Sequence, residues 1–191
     1  METNISLENM KTRRSVRGFD PDKMPDEALV AQIIEAGTYA PTGRNRQSPI
    51  IVAVTNRQVR DRLSQLNAQV MGCDFDPFYG APVVLIVLAD RQVPTYLYDG
   101  SLVMGNLMNA AHAVGLGSCW IHRALEVFDS AEGKEMLRQW GIEGDYVFCL
   151  FCIVVNCVGN RSEFLFLFLF FLLLFVGGIS RGRCYGRLRS Q

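Results

Sequence analysis

Three guanidiniums and a hydroxyl fall within five residues at Arg13-Arg14-Ser15-Val16-Arg17. Arginine grips phosphate as a planar, permanently charged fork, and serine adds a short donor beside it. This set suits an anion such as a phosphate ester, and it suits equally the solvated basic end of a helix. A second polar group, Ala40-Pro41-Thr42-Gly43-Arg44-Asn45-Arg46-Gln47-Ser48, offers amide side chains from a turn-rich stretch. Asn45 and Gln47 could be ligands or plain turn residues, since Asn tolerates unusual backbone angles. Asn67 reads either as an exposed helix residue or as a ligand, and Trp120, ending an apolar run, reads as core. His112 and His122 are the two histidines of the chain, and each has a structural or surface reading. No Ser-His-Asp set is evident. Cys149-x-x-Cys152 has a metal or redox spacing, but it sits among Phe, Leu, Ile and Val. No histidine or further CxxC completes four ligands, so the spacing reads as accidental and no metal is expected.

Helices and short strands must position these groups. A helix is expected over residues 5–14, with Leu7 and Met10 on one face, broken where Pro21 biases Asp20 away from helical angles. Met24-Pro25-Asp26-Glu27 opens a second helix striped by Leu29, Val30, Ile33 and Ile34, which Gly37 is expected to close in a left-handed conformation. A strand at Ile50–Thr55 precedes a helix at about 57–70. There Val59, Leu63, Leu66 and Val70 share a face, and Arg57, Arg60 and Arg62 read as solvated. Val83–Ala89 is a continuous branched run, the mark of a strand buried on both faces. Asp99 is expected to cap a helix reaching about Ala113. Gly115-Leu116-Gly117 ends that helix and feeds a strand at Ser118–His122. Ser130 opens a last helix ending at Trp140-Gly141, and a further strand follows Asp145. Helices alternating with short buried strands indicate α/β or α+β, in one domain through about residue 147.

The 191 residues suffice for one domain with a substantial core. Lys+Arg and Asp+Glu balance at 19 each, but the net charge is −4 through Val147 and +4 from Phe148 onward. A mildly acidic body argues against nucleic-acid binding, which calls for a basic footprint. The beginning Met-Glu-Thr-Asn lacks a basic segment leading into an apolar one, so no signal peptide is expected. Two well-separated body cysteines, Cys73 and Cys119, read as reduced, buried thiols of an intracellular, cytoplasmic protein, Cys119 as a small buried hydrophobe.

Five stretches in order carry a family resemblance: Arg13-Arg14-Ser15-Val16-Arg17-Gly18-Phe19, Ala40-Pro41-Thr42-Gly43-Arg44-Asn45-Arg46-Gln47, Ala81-Pro82-Val83-Val84, Gly115-Leu116-Gly117-Ser118-Cys119-Trp120-Ile121, and Trp140-Gly141-Ile142-Glu143-Gly144-Asp145-Tyr146. Together, over roughly residues 5–147, they resemble the short members of the nitroreductase family of FMN-dependent flavoproteins. The resemblance implies an α+β fold, a mixed sheet flanked by helices, in a homodimer that binds FMN at the subunit interface. Arg13, Arg14, Ser15 and Arg17 would hold the phosphate and ribityl end. Pro41, Thr42, Asn45 and Gln47 would line the flavin from the partner subunit. Asn67 would contact the isoalloxazine ring, and Trp120, Ile121, His122 and Arg123 would pass along its other side. No residue is expected to be catalytic in its own right, because the flavin carries the hydride chemistry while the protein binds and orients it. The implied reaction has two steps: NADH or NADPH reduces FMN and leaves, and a nitroaromatic, quinone or similar electron-poor acceptor then takes the electrons. A dehalogenase-like relative is an alternative, disfavoured because there is no lid-like insertion between Ala89 and Asp99.

From residue 148 to residue 191 the pattern departs from the family. Phe148 and Leu150 replace expected glycines, and Phe164–Phe175 contains only Phe and Leu, with no period that separates a core face from a solvent face. Phe and Leu codons can be built from T and C alone, so a frameshift or a retained non-coding segment would produce such a tract. The rival is a membrane anchor through Phe164–Ile179, but 16 helical residues reach about 24 Å against a hydrocarbon core of about 30 Å. Arg161, Arg181 and Arg183 bracket the run as flanking cations would, whereas no motif places Arg181, Arg183, Arg187 or Arg189 at a phosphate. A tail of this kind leaves two further readings open, a flavin-binding or membrane-attached protein without turnover and a defective product.

Overall fold

The computed structural model describes residues 4–156, with side chains through Tyr146. The apolar tract at 164–179, its flanking arginines, Cys157 and Cys184 lie outside the described residues. Cys149 and Cys152 are described in backbone only.

Asn4 caps α1 (Ile5–Thr12), its side chain accepting from the amides of Ser6 and Leu7. Asp26 caps α2 (Glu27–Thr38) in the same way through Ala28, an arrangement that satisfies amides lacking a partner in the first turn. Gly37 does not close α2 in a left-handed conformation. It lies inside the helix, and a Cβ there would fall 2.6 Å from Leu107 Cδ2 and 2.8 Å from Ile51 Cδ1. The glycine is thus a point of close approach, with the helix continuing to Thr38.

The strands β1 (Ile50–Val54), β2 (Val83–Asp90), β3 (Leu116–Ile121) and β4 (Tyr146–Asn156) form one sheet in the order β1-β2-β4-β3. The three strand pairings are antiparallel, and a parallel bridge between Ser15 and Ser118 brings the segment after α1 to the β3 edge. β4 runs across the sequence boundary at 147/148, pairing with Val83–Asp90 on one side and Leu116–Ile121 on the other. Phe148 and Leu150 stand opposite Ala89 and Val87 in that register.

Alternation along β2 divides the core. Val83, Leu85 and Val87 pack with Val30, Ile33, Val103, Met104 and Leu107 of α2 and α4 (Tyr96–Ala113). Val84, Ile86 and Leu88 pack with α3 (Arg57–Met71), α5 (Ala124–Asp129) and α6 (Ala131–Gln139), through residues such as Leu63, Phe128 and Leu137. A sheet with both faces covered buries every residue of β2 from Val83 to Ala89, and the result is an α+β architecture in three layers. The described helices include none long and apolar enough to cross a membrane.

The fold departs from expectation at two further places. α4 starts at Tyr96 with Thr95 in the cap position, so Asp99 lies in the first turn instead of capping it. Arg60, expected in solvent, is buried: its Nε donates to Ala81 O at 2.7 Å and its fork reaches Asp61 and Asp76. The guanidinium also lies 5.4 Å from the centre of the Phe78 ring.

Candidate functional site

β3 is the element on which the candidate residues meet. Along its edge, Val16 N–H donates to Ser118 O at 3.0 Å, tying the basic segment to the strand. Just past its end, the side chain of Asn67 on α3 donates from Nδ2 to His122 O at 2.9 Å. Four residues of strand separate these anchors, a span of about 13 Å at roughly 3.3 Å per residue.

Arg13 ends α1, and its Nη1 is buried without a hydrogen-bond partner. A cationic donor removed from water and left unmatched is a cost that an anion would relieve. Ser15 and Arg17 are exposed and lie close to Cys119. Burial pushes the Cys119 thiol up, against the opposing charge of Arg17, a hydrogen bond with Ser15 and the charge of Arg13. The thiol is therefore held in its protonated form, a buried neighbour of the cationic cluster and not a nucleophile. Arg14 turns away from this group, its Nη1 donating to Lys11 O at 2.6 Å and to Arg13 O at 2.8 Å.

Asn67 is fully buried, and its Oδ1 has no partner. The exposed and the ligand readings of this residue are thus separated: it belongs to the apolar face of α3 with an acceptor still open. Trp120, read as core by its place in the strand, is 37% exposed, while its neighbours Cys119 and Ile121 point into the core. Ile121 consequently offers the site only backbone. His122 is exposed, and Arg123 begins α5 with a left-handed backbone, φ 74°.

The segment from Pro41 to Gln47 forms a compact loop around a single turn at Gly43–Asn45. Thr42 O accepts from Asn45 N–H at 3.0 Å, Thr42 Oγ1 accepts from Gln47 N–H at 3.0 Å, and Gln47 Nε2 donates to Asn45 Oδ1 at 3.1 Å. Arg44, Asn45 and Gln47 all have positive φ, between 50° and 55°. Three such residues in four positions are strained unless the surroundings hold them. Asp99, which is 2% exposed, supplies one hold by accepting from Gly43 N–H at 2.8 Å.

Within one chain the loop and the basic cluster are apart. The loop docks at Asp99, while α1 docks further along α4, where Asn9 Nδ2 donates to Asn109 O at 3.0 Å. Ten helical residues separate those points, about 15 Å of rise. The structure thus brings Arg13, Ser15 and Arg17 to β3 together with Trp120–Arg123 and Asn67, and leaves Pro41, Thr42, Asn45 and Gln47 elsewhere.

Sequence reasoning missed the ties that hold this frame. Asp76 accepts from Arg60, from Ser64 and from the amides of Phe78 and Gly80. Burial raises the Asp76 carboxyl, but those hydrogen bonds together outweigh it and hold it below its usual value. A signal was present: Arg60, Ser64 and Asn67 recur at helical spacing on the stripe of Leu63 and Leu66. Polar residues on an apolar stripe are buried with partners or with a task. Among the described residues no cluster of His, Cys, Asp or Glu could hold a metal ion.

Comparison with known proteins agrees with this architecture. The model of the nitroreductase family matches residues 10–72 and 69–154. A protein of Methanothermobacter thermautotrophicus, provisionally named NADH dehydrogenase/NAD(P)H nitroreductase, is 29% identical over 123 residues, 60% of this chain and 59% of that relative's length. A nitroreductase of Bacteroides fragilis solved with bound FMN superposes with a TM-score of 0.73 at 23% identity, covering 96% of each chain. One from Desulfitobacterium hafniense, also solved with FMN, gives 0.74 at 23% identity over 84% of this chain and 93% of its own.

Proposed function

The chain belongs to the nitroreductase family, and from that premise we propose that it is an FMN-dependent oxidoreductase passing electrons from NADH or NADPH to small electron-poor acceptors such as nitroaromatics and quinones. The observation that carries this reading is the pair of orphaned buried polar atoms, Arg13 Nη1 and Asn67 Oδ1, on two segments that are both tied to β3 and the turn after it, one through Val16 at Ser118 and the other at His122. Arg13 offers a cationic donor and Asn67 an amide acceptor, each without a hydrogen-bond partner, on segments tied to Ser118 and His122, residues about 13 Å apart along the chain. A molecule with an anionic phosphate at one end and a flat ring bearing an N–H at the other fits both.

When bound, FMN supplies the carrier that accepts a hydride from reduced nicotinamide and passes electrons to an acceptor. The residues of this chain do the rest. Arg13, with Ser15 and Arg17 beside it, would neutralise the phosphate. Arg14 would join only by leaving the carbonyls it now bonds. Asn67 would fix the orientation of the ring while holding the turn at His122. The exposed ring of Trp120 and the backbone of Ile121–Arg123 would form a wall along the site.

A homodimer is part of the proposal. α1 buries no residue of its own, yet presents Ile5, Leu7 and Met10 to solvent, and α4 presents Leu97, Tyr98 and Leu102. Exposed apolar rows on two helices mark a surface that associates. In a dimer Pro41, Thr42, Asn45 and Gln47 of one subunit could reach the flavin of the other, which the separation of about 15 Å along α4 speaks against within one chain. The free thiols of Cys73 and Cys119 support a cytoplasmic setting.

The full-length protein, purified and reconstituted with FMN, is expected to show a yellow flavin spectrum that bleaches anaerobically on addition of NADH or NADPH and returns with a quinone or nitroaromatic. Failure to take up FMN refutes the reading. A bound flavin that neither nucleotide bleaches refutes the oxidoreductase and leaves a binding protein.

A further inference from the structure

Asp99 is a carboxylate 2% exposed that makes no ion pair among the described residues. A charge taken out of water without a cation needs its lone pairs satisfied by donors. Both of its oxygens are engaged. Oδ1 accepts from Gly43 N–H at 2.8 Å, and Oδ2 accepts from Thr95 Oγ1 at 2.8 Å. Thr95 is the cap position of α4, yet its side chain caps no amide of the helix and serves the carboxylate instead.

Gly43 rests directly on this pair. A Cβ there would stand 2.4 Å from Thr95 Oγ1 and 2.8 Å from Thr95 Cγ2, so the loop backbone is pressed against the helix start. The next residues carry the strained angles of Arg44, Asn45 and Gln47. Bonds inside the loop close the turn but do not fix it to the body, whereas the Gly43–Asp99 bond does.

We propose that Asp99 is a positioning residue: through Gly43 it holds the Thr42–Gln47 loop in the strained shape that this subunit presents to the flavin of the second subunit. The inference rests on the dimeric flavin site proposed above. It places a buried acid at the helix start of one subunit in control of cofactor retention in the other.

Titration of the full-length apoprotein with FMN, followed by quenching of flavin fluorescence, tests it. Asp99→Ala leaves Gly43 N–H and Thr95 Oγ1 without their acceptor, and FMN affinity is expected to fall about tenfold. Asp99→Asn keeps an acceptor for Gly43 and gains an amide donor for the Thr95 hydroxyl, so affinity is expected to stay within about threefold. Thr95→Val removes one donor and leaves the Gly43 bond, with an intermediate fall expected. This variant and Asp99→Asn keep the test decisive should Asp99→Ala fail to fold by circular dichroism. If Asp99 acted by its charge on α4, Asp99→Asn would lose as much as Asp99→Ala, and the proposal would be overturned.

A mixed dimer, one subunit carrying Arg13→Ala and the other Asp99→Ala, separates action within a subunit from action across subunits. Across subunits, one site joins both altered elements and the other joins none, so one FMN per dimer is expected at unaltered affinity. One FMN per dimer at tenfold weakened affinity places the effect of Asp99 in its own subunit and refutes the inference. The Arg13→Ala homodimer is the control for the underlying reading: it is expected to retain no FMN. Retention there at unaltered affinity would overturn the site itself and not merely the role of Asp99.

Discussion

Replacing Asn67 by Leu separates what this residue does for the fold from what it does for a ligand. The side chain is fully buried on the inner face of α3, and Asn and Leu share the same branched four-atom skeleton, so no cavity is created and only the extra room of two methyl groups has to be found. Two terms of opposite sign follow in the apoprotein. Loss of the 2.9 Å bond from Nδ2 leaves His122 O without that partner, at about 0.5–1.5 kcal/mol because the exposed turn admits water. Loss of Oδ1 removes a buried acceptor that has no partner, a gain of about 1–3 kcal/mol. These two terms sum to between a loss of about 0.5 and a gain of about 2.5 kcal/mol in apoprotein stability, a melting shift of about −2 to +10 °C for a chain of this size. FMN binding behaves differently, because a ring N–H would meet Oδ1 in the unaltered protein and an apolar methyl in the variant. A loss of about 1–3 kcal/mol there means FMN affinity about 5–150-fold weaker. The assays are thermal melting of the apoprotein by circular dichroism and FMN titration by fluorescence. A large drop in apoprotein melting temperature with unchanged FMN affinity would refute the reasoning, since Asn67 would then serve the fold alone.

Other outcomes follow from the ties that frame the site. Asp76→Asn should lower stability near neutral pH by about 1–3 kcal/mol, toward the low end since the Asp76 side chain is 34% exposed. The sign with pH is set by a folded-state carboxyl held below its usual value of about 3.9: its contribution is complete above that value and vanishes as pH falls through the folded value. Melting curves of variant and unaltered protein should therefore differ at pH 7 and converge as pH drops below about 4, and a constant difference across that range would count against the account. Gly133→Ala should cost about 3 kcal/mol or more in urea unfolding, because its Cβ would stand 2.1 Å from Val127 O and 2.6 Å from Phe128 Cα, both backbone atoms that cannot turn aside. A cost below about 1 kcal/mol would show that α5 and α6 can part there without penalty.

The long elements were legible because their apolar residues recur with the period of their structure. Val30 and Ile33 of α2, Leu63 and Leu66 of α3 and the unbroken run of β2 all stand in the core as their spacing implies. What escaped was short or polar. α5 has six residues, too few to show a helical period, although Ala124, Val127 and Phe128 are almost wholly buried. Arg60 read as solvated because arginine is rarely buried, and its partner Asp76 lies 16 residues away, beyond the reach of any local pattern. Asp99 looked like a helix cap because Asp favours helix starts, and its actual partner Gly43 is 56 positions distant. The candidate site was legible mainly through resemblance. Nothing in the spacing of Arg13–Arg17 says that the segment after α1 lies against Ser118, since a single parallel bridge leaves no periodic trace.

The separation between the two ends of the proposed site depends on β3 more than on any loop. Side chains alternate along a strand, so burying Cys119 and Ile121 in the core under α3 and α5 turns Trp120 to the other face. Slipping the strand by one residue would expose those two and bury the indole, which the packing of Phe128 and Leu63 forbids. The same register sets Ser118 O where Val16 N–H can reach it and His122 O where Asn67 can reach it. Core packing therefore sets the spacing between the tie of the basic segment at Ser118 and the tie of Asn67 at His122. The loop at Thr42–Gln47 is built the other way, from strained backbone fastened at Gly43. A site with one half fixed by a strand register and the other by a buried carboxylate has its point of adjustment at the carboxylate. Changes there can alter how a ligand is held while leaving the core of the subunit intact.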